Sequence, residues 1–365
     1  MNIFNPEHDL CLANGSPHFV PPDSALEFGR NCSGLNHWIE ENTDDRIIPW
    51  GWDPYLKRQL QKKGIPDTLL PTDSEIAAIR ELSHRRISIQ ARKYIDIALG
   101  QYKHLLTTPS GVETTSIAAI DRILENWGSI VLKAPWSGSG KGLRWVRKGE
   151  FYPSDRGWCG RTIERQGSVL IEKRFPVIQD FALLFHLIRG KVCFAGYSLF
   201  YNDNGMYRGN LLASDGLILR ILGQWLAPEL IEAGKKAVTS FIAEHIAGRY
   251  DGYLGVDMFV CQDDHSGGIL LNPCVEINVR MTMGLLARKV YDRLGDGEHQ
   301  ARKCRTSKDS RPGENLGDGE YCVSVEYRPR FGEISQYIKD TDVLPLHDIG
   351  EENRYAVIIK PFSQS

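Results

Sequence analysis

The sequence predicts an α/β chain assembled from mixed α+β lobes, on three observations. Apolar residues recur at helical spacing in 73–82, 117–127 and 228–246. Period-two alternation broken by turn residues fills 129–146 and much of 168–283, as antiparallel strands require. The first 80 residues alternate short apolar runs with polar loops and one helical stretch, the pattern of a small α/β unit.

In chain order, MNIF reads as a short strand and Asn5-Pro6-Glu7-His8-Asp9 as the polar loop after it. Loops at the carboxyl ends of strands in open α/β sheets face ligands, which makes Glu7, His8 and Asp9 candidates to touch a substrate. The competing reading, a turn and helix-capping cluster, suits the same residue types better. Residues 14–30, rich in Gly, Pro and Ser, read as irregular. RIIPWGWDP supplies a second strand, 55–63 a helix, and 68–70 a third short strand. Asp73-Ser74 opens a helix with Glu75 in its first turn, where negative charge opposes the dipole. Ser83-His84-Arg85-Arg86 marks a boundary before a helical stretch over 87–105. Thr115 or Ser116 caps the next helix, whose stripe is Ile117, Ile120, Ile123, Leu124 and Trp127, and Gly128 ends it.

The stretch 129–146, SIVLKAPWSGSGKGLRWV, predicts a hairpin with a donor-rich tip. Gly138, Gly140 and Gly142 let backbone N–H groups approach a phosphate, and Lys133 and Lys141 add positive charge. Spacing excludes two better-known phosphate loops. Pro135 and Gly142 stand where a Walker A loop needs Gly and Ser or Thr. The Gly138, Gly140, Gly142 run leads into a strand, whereas a dinucleotide fingerprint opens a helix. The bland alternative is a β-turn with a solvated lysine.

Residues 151–166 read as a connection and 168–175 as a strand; 181–189, 191–201 and 207–214 continue a mostly antiparallel region. Pro228 starts a helix over 228–246 with Gly248 as its cap, and His245 on its apolar stripe reads as a core residue. Residues 253–283 predict a second hairpin around DDHSGG. Centring it between Ser266 and Gly267 sets Asp257 opposite Glu276, with Glu276, Asn278 and Arg280 on one face. Facing Cβ atoms lie ~4.5–5.5 Å apart, where like charges repel. Two carboxylates and an amide oxygen are hard donors suited to Mg²⁺ or Mn²⁺, which would turn that repulsion into attraction. The alternative is a solvated hairpin face with Glu276 paired to Arg280. Pro273 is a place for a bulge.

A formal charge of −2 gives no reason to expect nucleic acid or an anionic membrane as partner. No apolar run approaches the ~20 residues of a bilayer span, and the N-terminus lacks the pattern of a signal peptide. The eight scattered cysteines, without a C-x-x-C pair, suit reduced thiols in a cytoplasmic protein.

Taken together, these motifs resemble the ATP-grasp superfamily. LKAPWSGSGKG resembles its strand lysine and glycine-rich flap, VLIEKRF its hinge, and GVDMF with EINVR its metal-binding pattern. The resemblance covers about 85–290. It implies an ATP-grasp fold behind a small N-terminal α/β unit, with units 1–82 and 83–365, lobes of about 83–180 and 181–365, and a polar loop over 295–320. It implies nucleotide contacts from Lys133, Ser137, Gly138, Ser139, Gly140, Lys141, Gly142, Glu172, Phe175 and Asp180, with Gln179 the rival of Asp180 for the ribose. Asp257, Glu276 and Asn278 would hold one or two Mg²⁺ or Mn²⁺ ions. Arg280 would attend the transferring phosphoryl group, and Arg208 and Asn210 of YRGNLL the terminal phosphate or the acceptor. His84-Arg85-Arg86 stands where the superfamily more often has a lysine and is left outside this set. The implied activity joins a small-molecule or peptide carboxylate to an amine or thiol through an acyl phosphate, releasing ADP and phosphate. A phosphotransferase or an inactive nucleotide-binding protein on the same fold are the alternatives, and the oligomeric state is left open.

Overall fold

The computed structural model describes residues 1–39, 46–138, 142–203, 206–263, 266–295 and 318–362. The N-terminal unit is built on two parallel strands, β1 (Asn2–Ile3) and β2 (Ile48–Pro49), with helices α1 (His8–Asn14), α2 (Asp23–Asn31) and α3 (Asn36–Ile39) between them. Helix α1 starts inside the segment expected as a loop, with Glu7 at its N-cap making no side-chain cap bond. Helix α2 corrects the irregular reading of 14–30. Pro22 stands just before its first turn, Gly29 is buried inside it, and Phe28 packs edge-on against Phe4, ring centres 5.4 Å apart.

Helices α4 (Pro54–Lys62) and α5 (Asp73–Leu82) follow. Between them 67–69 form a 3₁₀ turn instead of the expected strand, because Pro66 leads into a tight turn closed by Leu70 N–H on Asp67. A reciprocal capping box starts α5: Thr72 Oγ1 accepts from Glu75 N–H at 3.2 Å, and Glu75 Oε2 accepts from Thr72 N–H at 2.7 Å. Helix α6 (Arg86–Ala98) stops short of 105, and 100–105 tighten into 3₁₀ after Gly100.

A four-stranded antiparallel sheet comes next, in the order β3-β6-β4-β5: β3 (Val112–Thr114), β4 (Ser129–Lys133), β5 (Leu143–Arg147) and β6 (Val169–Lys173). Helix α7 (Ile117–Trp127) is capped by Ser116 and ended by Gly128, as expected. Helix α8 (Pro153–Gln166) replaces the expected connection. Pro153 at its first turn and Gly167 at φ +89° after its last are the punctuation of a helix that lacks a clear apolar stripe. Both helices pack on Ile130, Leu132, Val169 and Ile171.

The chain leaves this sheet at 174–176, a few residues before position 180, and enters an eight-stranded antiparallel sheet. Its strands are β7 (Val177–Ile188), β8 (Lys191–Asp203), β9 (Met206–Leu212), β10 (Gly252–Gln262), β11 (Ile269–Asn278), β12 (Tyr321–Tyr327), β13 (Leu344–Pro345) and β14 (Tyr355–Pro361). Their spatial order is β11-β10-β7-β8-β9-β12-β14-β13. Helices α9 (Asp215–Leu222), α10 (Pro228–His245), α11 (Met283–Gly295) and α12 (Glu333–Asp340) complete it. Period two sorts the residues. Phe181, Leu183, Phe185, Val256, Met258 and Ile277 enter one core, with α6 and α10. Asp180, Asp257, Glu276 and Asn278 therefore point to the other face. Toward its far end that face is covered by α11 and the N-terminal unit, through Phe4, Trp38, Trp50, Leu286, Val323 and Val357. This packing carries the first turn of α1, with Asp9, toward Arg280.

Three expectations in this region are corrected. His245 is exposed on the last turn of α10, its ring 4.6 Å from that of Phe241, so it is not a core residue. That helix closes at Ile246, where the N–H already bonds Ile242, two residues before Gly248. Strand β11 ends at Asn278, and Thr282 Oγ1 then accepts the Leu285 N–H at the start of α11. Residues 296–317 of the expected polar loop, and Cys304, lie outside the described residues. The other seven cysteines form no disulfide among the described residues, and all but Cys193 are buried. No described helix is long and apolar enough to cross a membrane.

Candidate functional site

The expected pair forms: Asp257 lies opposite Glu276. The ladder runs regularly from Gln262↔Ile269 to Phe259↔Asn272, and then β11 spends two extra residues before Asp257↔Glu276. Pro273, which has no N–H to donate, sits in this bulge. Asn272 Oδ1 holds it, accepting from Cys274 N–H at 3.2 Å and from the buried Arg92 Nη1 at 3.1 Å. Burial, then the facing Glu276, pushes the Asp257 carboxyl up to about 7. Asn278 Nδ2 donates to Asp257 Oδ2 at 3.0 Å, leaving the Asn278 carbonyl oxygen as a further hard donor.

Arg280 does not pair with Glu276. Its Nε donates to both Asp9 oxygens at 3.1 Å, and its Nη2 lies 2.9 Å from Asp9 Oδ2. Burial raises the Asp9 carboxyl, but Arg280, aided by His8 and Arg85, holds it below its ordinary value. Glu276 is taken instead by Arg85, whose Nη2 reaches its Oε1 at 2.8 Å. Sequence reasoning missed both partners. Asp9 suited a capping role, and Arg85 stood outside the expected set because a lysine was looked for.

On the smaller sheet, Lys133 at the end of β4 is 7% exposed and its Nζ lies 2.7 Å from Glu172 Oε2 on β6. The root of the glycine-rich hairpin is fixed by Arg85, which donates to Ala134 O at 2.7 Å, Ser137 Oγ at 2.6 Å and Ser137 O at 2.9 Å. Side chains close on the backbone at Gly138 and Gly142. A Cβ at Gly138 would sit 2.1 Å from Asp9 Oδ2, and one at Gly142 would sit 2.1 Å from Ser137 Oγ. Ser139, Gly140 and Lys141 lie outside the described residues.

Where the chain crosses between sheets, the Phe175 ring faces that of Phe259 at 6.2 Å. A cleft lined by Ser88, Gly111, Glu172, Phe175, Cys274 and Val275 opens beside them. Asp180 shares the face of Asp257 on the neighbouring strand. Burial pushes its carboxyl up to about 6, against a hydrogen bond from Asn202 at 2.9 Å. Its rival Gln179 turns its amide to the backbone oxygens of Asp180 and Phe200. Asn210 is buried, donating to Ser198 Oγ at 2.8 Å and accepting from Tyr207. Arg208 is exposed where the β8–β9 register shifts.

Arg85 thus ties the hairpin root on the smaller sheet to Glu276 on the larger one, beside Asp257 and Asn278, and Glu172 and Cys274, one from each sheet, line one cleft. No protein-family model matches the chain, and no curated protein matches it in sequence. Solved structures do match. The ADP complex of N5-carboxyaminoimidazole synthetase from Staphylococcus aureus has a TM-score of 0.47 and 12% identity, over 100% of this chain and 93% of that one. The biotin carboxylase domain of the Hydrogenobacter thermophilus 2-oxoglutarate carboxylase, with MgADP, has a TM-score of 0.49 and 14% identity, over 86% and 70%. D-alanyl-alanine synthetase A from Vibrio cholerae has a TM-score of 0.40 and 16% identity, over 68% and 72%.

Proposed function

We propose that this chain is an ATP- and Mg²⁺-dependent ligase that joins a carboxylate to an amine or thiol through an acyl phosphate, releasing ADP and phosphate. One observation carries the reading: the Asp257–Glu276 pair, with Asn278 beside it, is tied through Arg85 to the root of a glycine-rich hairpin whose first strand ends in Lys133. Two recessed carboxylates held together against their repulsion suit a bound cation better than a structural role.

Among the described residues no group of three or more His, Cys, Asp or Glu side chains forms a metal cage. Two carboxylates and one amide oxygen leave most positions to phosphate and water, which is how Mg²⁺ is commonly held. Asp257, Glu276 and the Asn278 oxygen would hold one or two ions, whose chemistry is to neutralise and orient phosphate oxygens. Lys133 and the backbone of Ser137–Gly142 would hold the phosphates. Glu172 and Phe175 border the space for the base, and Asp180 would meet the ribose. Arg280 would steady the transferring phosphoryl group, with Arg208 and Asn210 on the acceptor side. The unit 1–82 would supply substrate contacts ahead of the catalytic unit 83–365, and free buried thiols suit a reducing, cytoplasmic setting.

The test is thermal unfolding with ATP, ADP and AMP, each with and without Mg²⁺. A ligand at a hundred times its Kd adds about 2.7 kcal/mol to folded-state stability. Stabilisation by ATP or ADP that requires Mg²⁺ and vanishes in Glu276→Gln is the expected result, after which carboxylate–amine pairs are screened for phosphate release. No shift with millimolar nucleotide would sink the reading.

A further inference from the structure

Two carboxylate–guanidinium pairs flank the hairpin root. Arg85 binds Ser137 on one side and ends on Glu276; Asp9 abuts Gly138 on the other and ends on Arg280. Asp9 comes from the N-terminal unit, while Glu276 and Arg280 follow one another on the metal-side face of β11 and its extension. Each pair therefore links the hairpin root to that face, and the Asp9 pair also links it to the first unit.

We propose that Asp9 is the positioning residue of this site: it keeps Arg280 off the Asp257–Glu276 pair and seats the hairpin root, so that the N-terminal unit governs metal and nucleotide binding. The proposal rests on the nucleotide reading above. Its physical basis is the competition for Arg280. That guanidinium is 16% exposed and spends three of its contacts on Asp9. Asp257 and Glu276 also stabilise its charge from nearby. A largely desolvated guanidinium needs a carboxylate partner. With the Asp9 charge gone, Arg280 turns to the acidic pair and occupies the oxygens a divalent cation would take. The hairpin root loses its seat at the same time, because the carboxylate that fits against Gly138 is the one that holds Arg280.

The experiment compares wild type, Asp9→Asn and Asp9→Asn/Arg280→Met by Mg²⁺ titration of ADP binding in a calorimeter, and by amide hydrogen exchange over 134–143 without ligand. In Asp9→Asn the Mg²⁺ concentration for half-maximal ADP binding rises at least tenfold, and exchange over 134–143 quickens at least tenfold. In the double variant the Mg²⁺ requirement returns to within threefold of wild type, because no guanidinium remains to compete, while exchange stays fast. A merely structural Asp9 would show no such recovery. An unchanged Mg²⁺ requirement in Asp9→Asn, a requirement that stays high in the double variant, or unchanged exchange overturns the proposal. Wild type that binds no MgADP at any Mg²⁺ concentration sinks the ligase reading and the metal half of this proposal together, and exchange then decides alone whether Asp9 seats the hairpin root.

Discussion

Lys133 is 7% exposed, and its Nζ lies 2.7 Å from Glu172 Oε2. Truncating Lys133 alone strands a recessed carboxylate, which costs about 3 kcal/mol when one member of a buried pair is lost. Lys133→Met should therefore lower the urea midpoint, and Lys133→Met/Glu172→Gln should recover most of it. Both should lose the ATP-dependent thermal shift, which separates the lysine's ligand role from its part in folding. A double variant that still binds ATP as wild type does would remove Lys133 from the site. At this scale the sequence was most legible where partners are near in the chain. Asp257, Glu276 and Asn278 lie on one hairpin, and alternation alone assigns their face. Arg85 meets Glu276 across 191 residues and Asp9 meets Arg280 across 271. No local pattern encodes such contacts, and the one local partner the strand offers Glu276, Arg280, is taken by Asp9 in the fold.

The hairpin of β10 and β11 is the element on which the site depends, and its register rests on a bulge. A centre between Ser266 and Gly267 gives the observed Asp257↔Glu276 pair, yet the ladder next to the turn is centred one residue earlier. The two extra residues around Pro273 make up the difference. Asn272→Ala removes the acceptor for both Arg92 and the Cys274 N–H. With two hydrogen bonds at about 1 kcal/mol each, it should cost about 2 kcal/mol in urea unfolding and weaken the Mg²⁺-dependent nucleotide shift as Glu276 loses its place. A variant that loses stability but keeps the full shift would show that the register does not depend on Asn272. Helices were legible where a cap and an apolar stripe coincide, as in α5 and α7. Thr72→Ala should accordingly cost about 1 kcal/mol in the same assay. Helix α8 went unread because, with Gly157 and Gly160 inside it, only its end signals are helical, and α2 because the Gly and Pro residues before it coloured the whole segment.

For the whole molecule, folding buries charges that respond to pH. Glu7 is 8% exposed, and its Oε2 is buried without a hydrogen-bond partner. Burial, with Asp53 adding repulsion, raises its carboxyl to about 7 from 4.5. An acid whose folded pKa is raised holds its proton longer in the folded state. Its contribution is complete below pH 4.5 and is lost as pH climbs to 7, a loss on the order of 3 kcal/mol. Asp257, also raised to about 7, loses stability through the same window when no cation is present. His84 works the other way. Burial, then Arg86, lowers it to about 4, so its part is lost as pH falls below 6.5. The difference between variants isolates each group. Glu7→Gln should gain on wild type from pH 5 to pH 7.5 whether or not MgATP is present, because no cation reaches Glu7. The Asp257 part should instead disappear when MgATP is added, since a bound cation restores the ionised carboxylate. Urea midpoints at the two pH values, with and without MgATP, check both statements. If MgATP removed the Glu7→Gln difference as well, the N-terminal unit would be taking part in ligand binding through Glu7 itself, and Glu7 would move from the fold to the site.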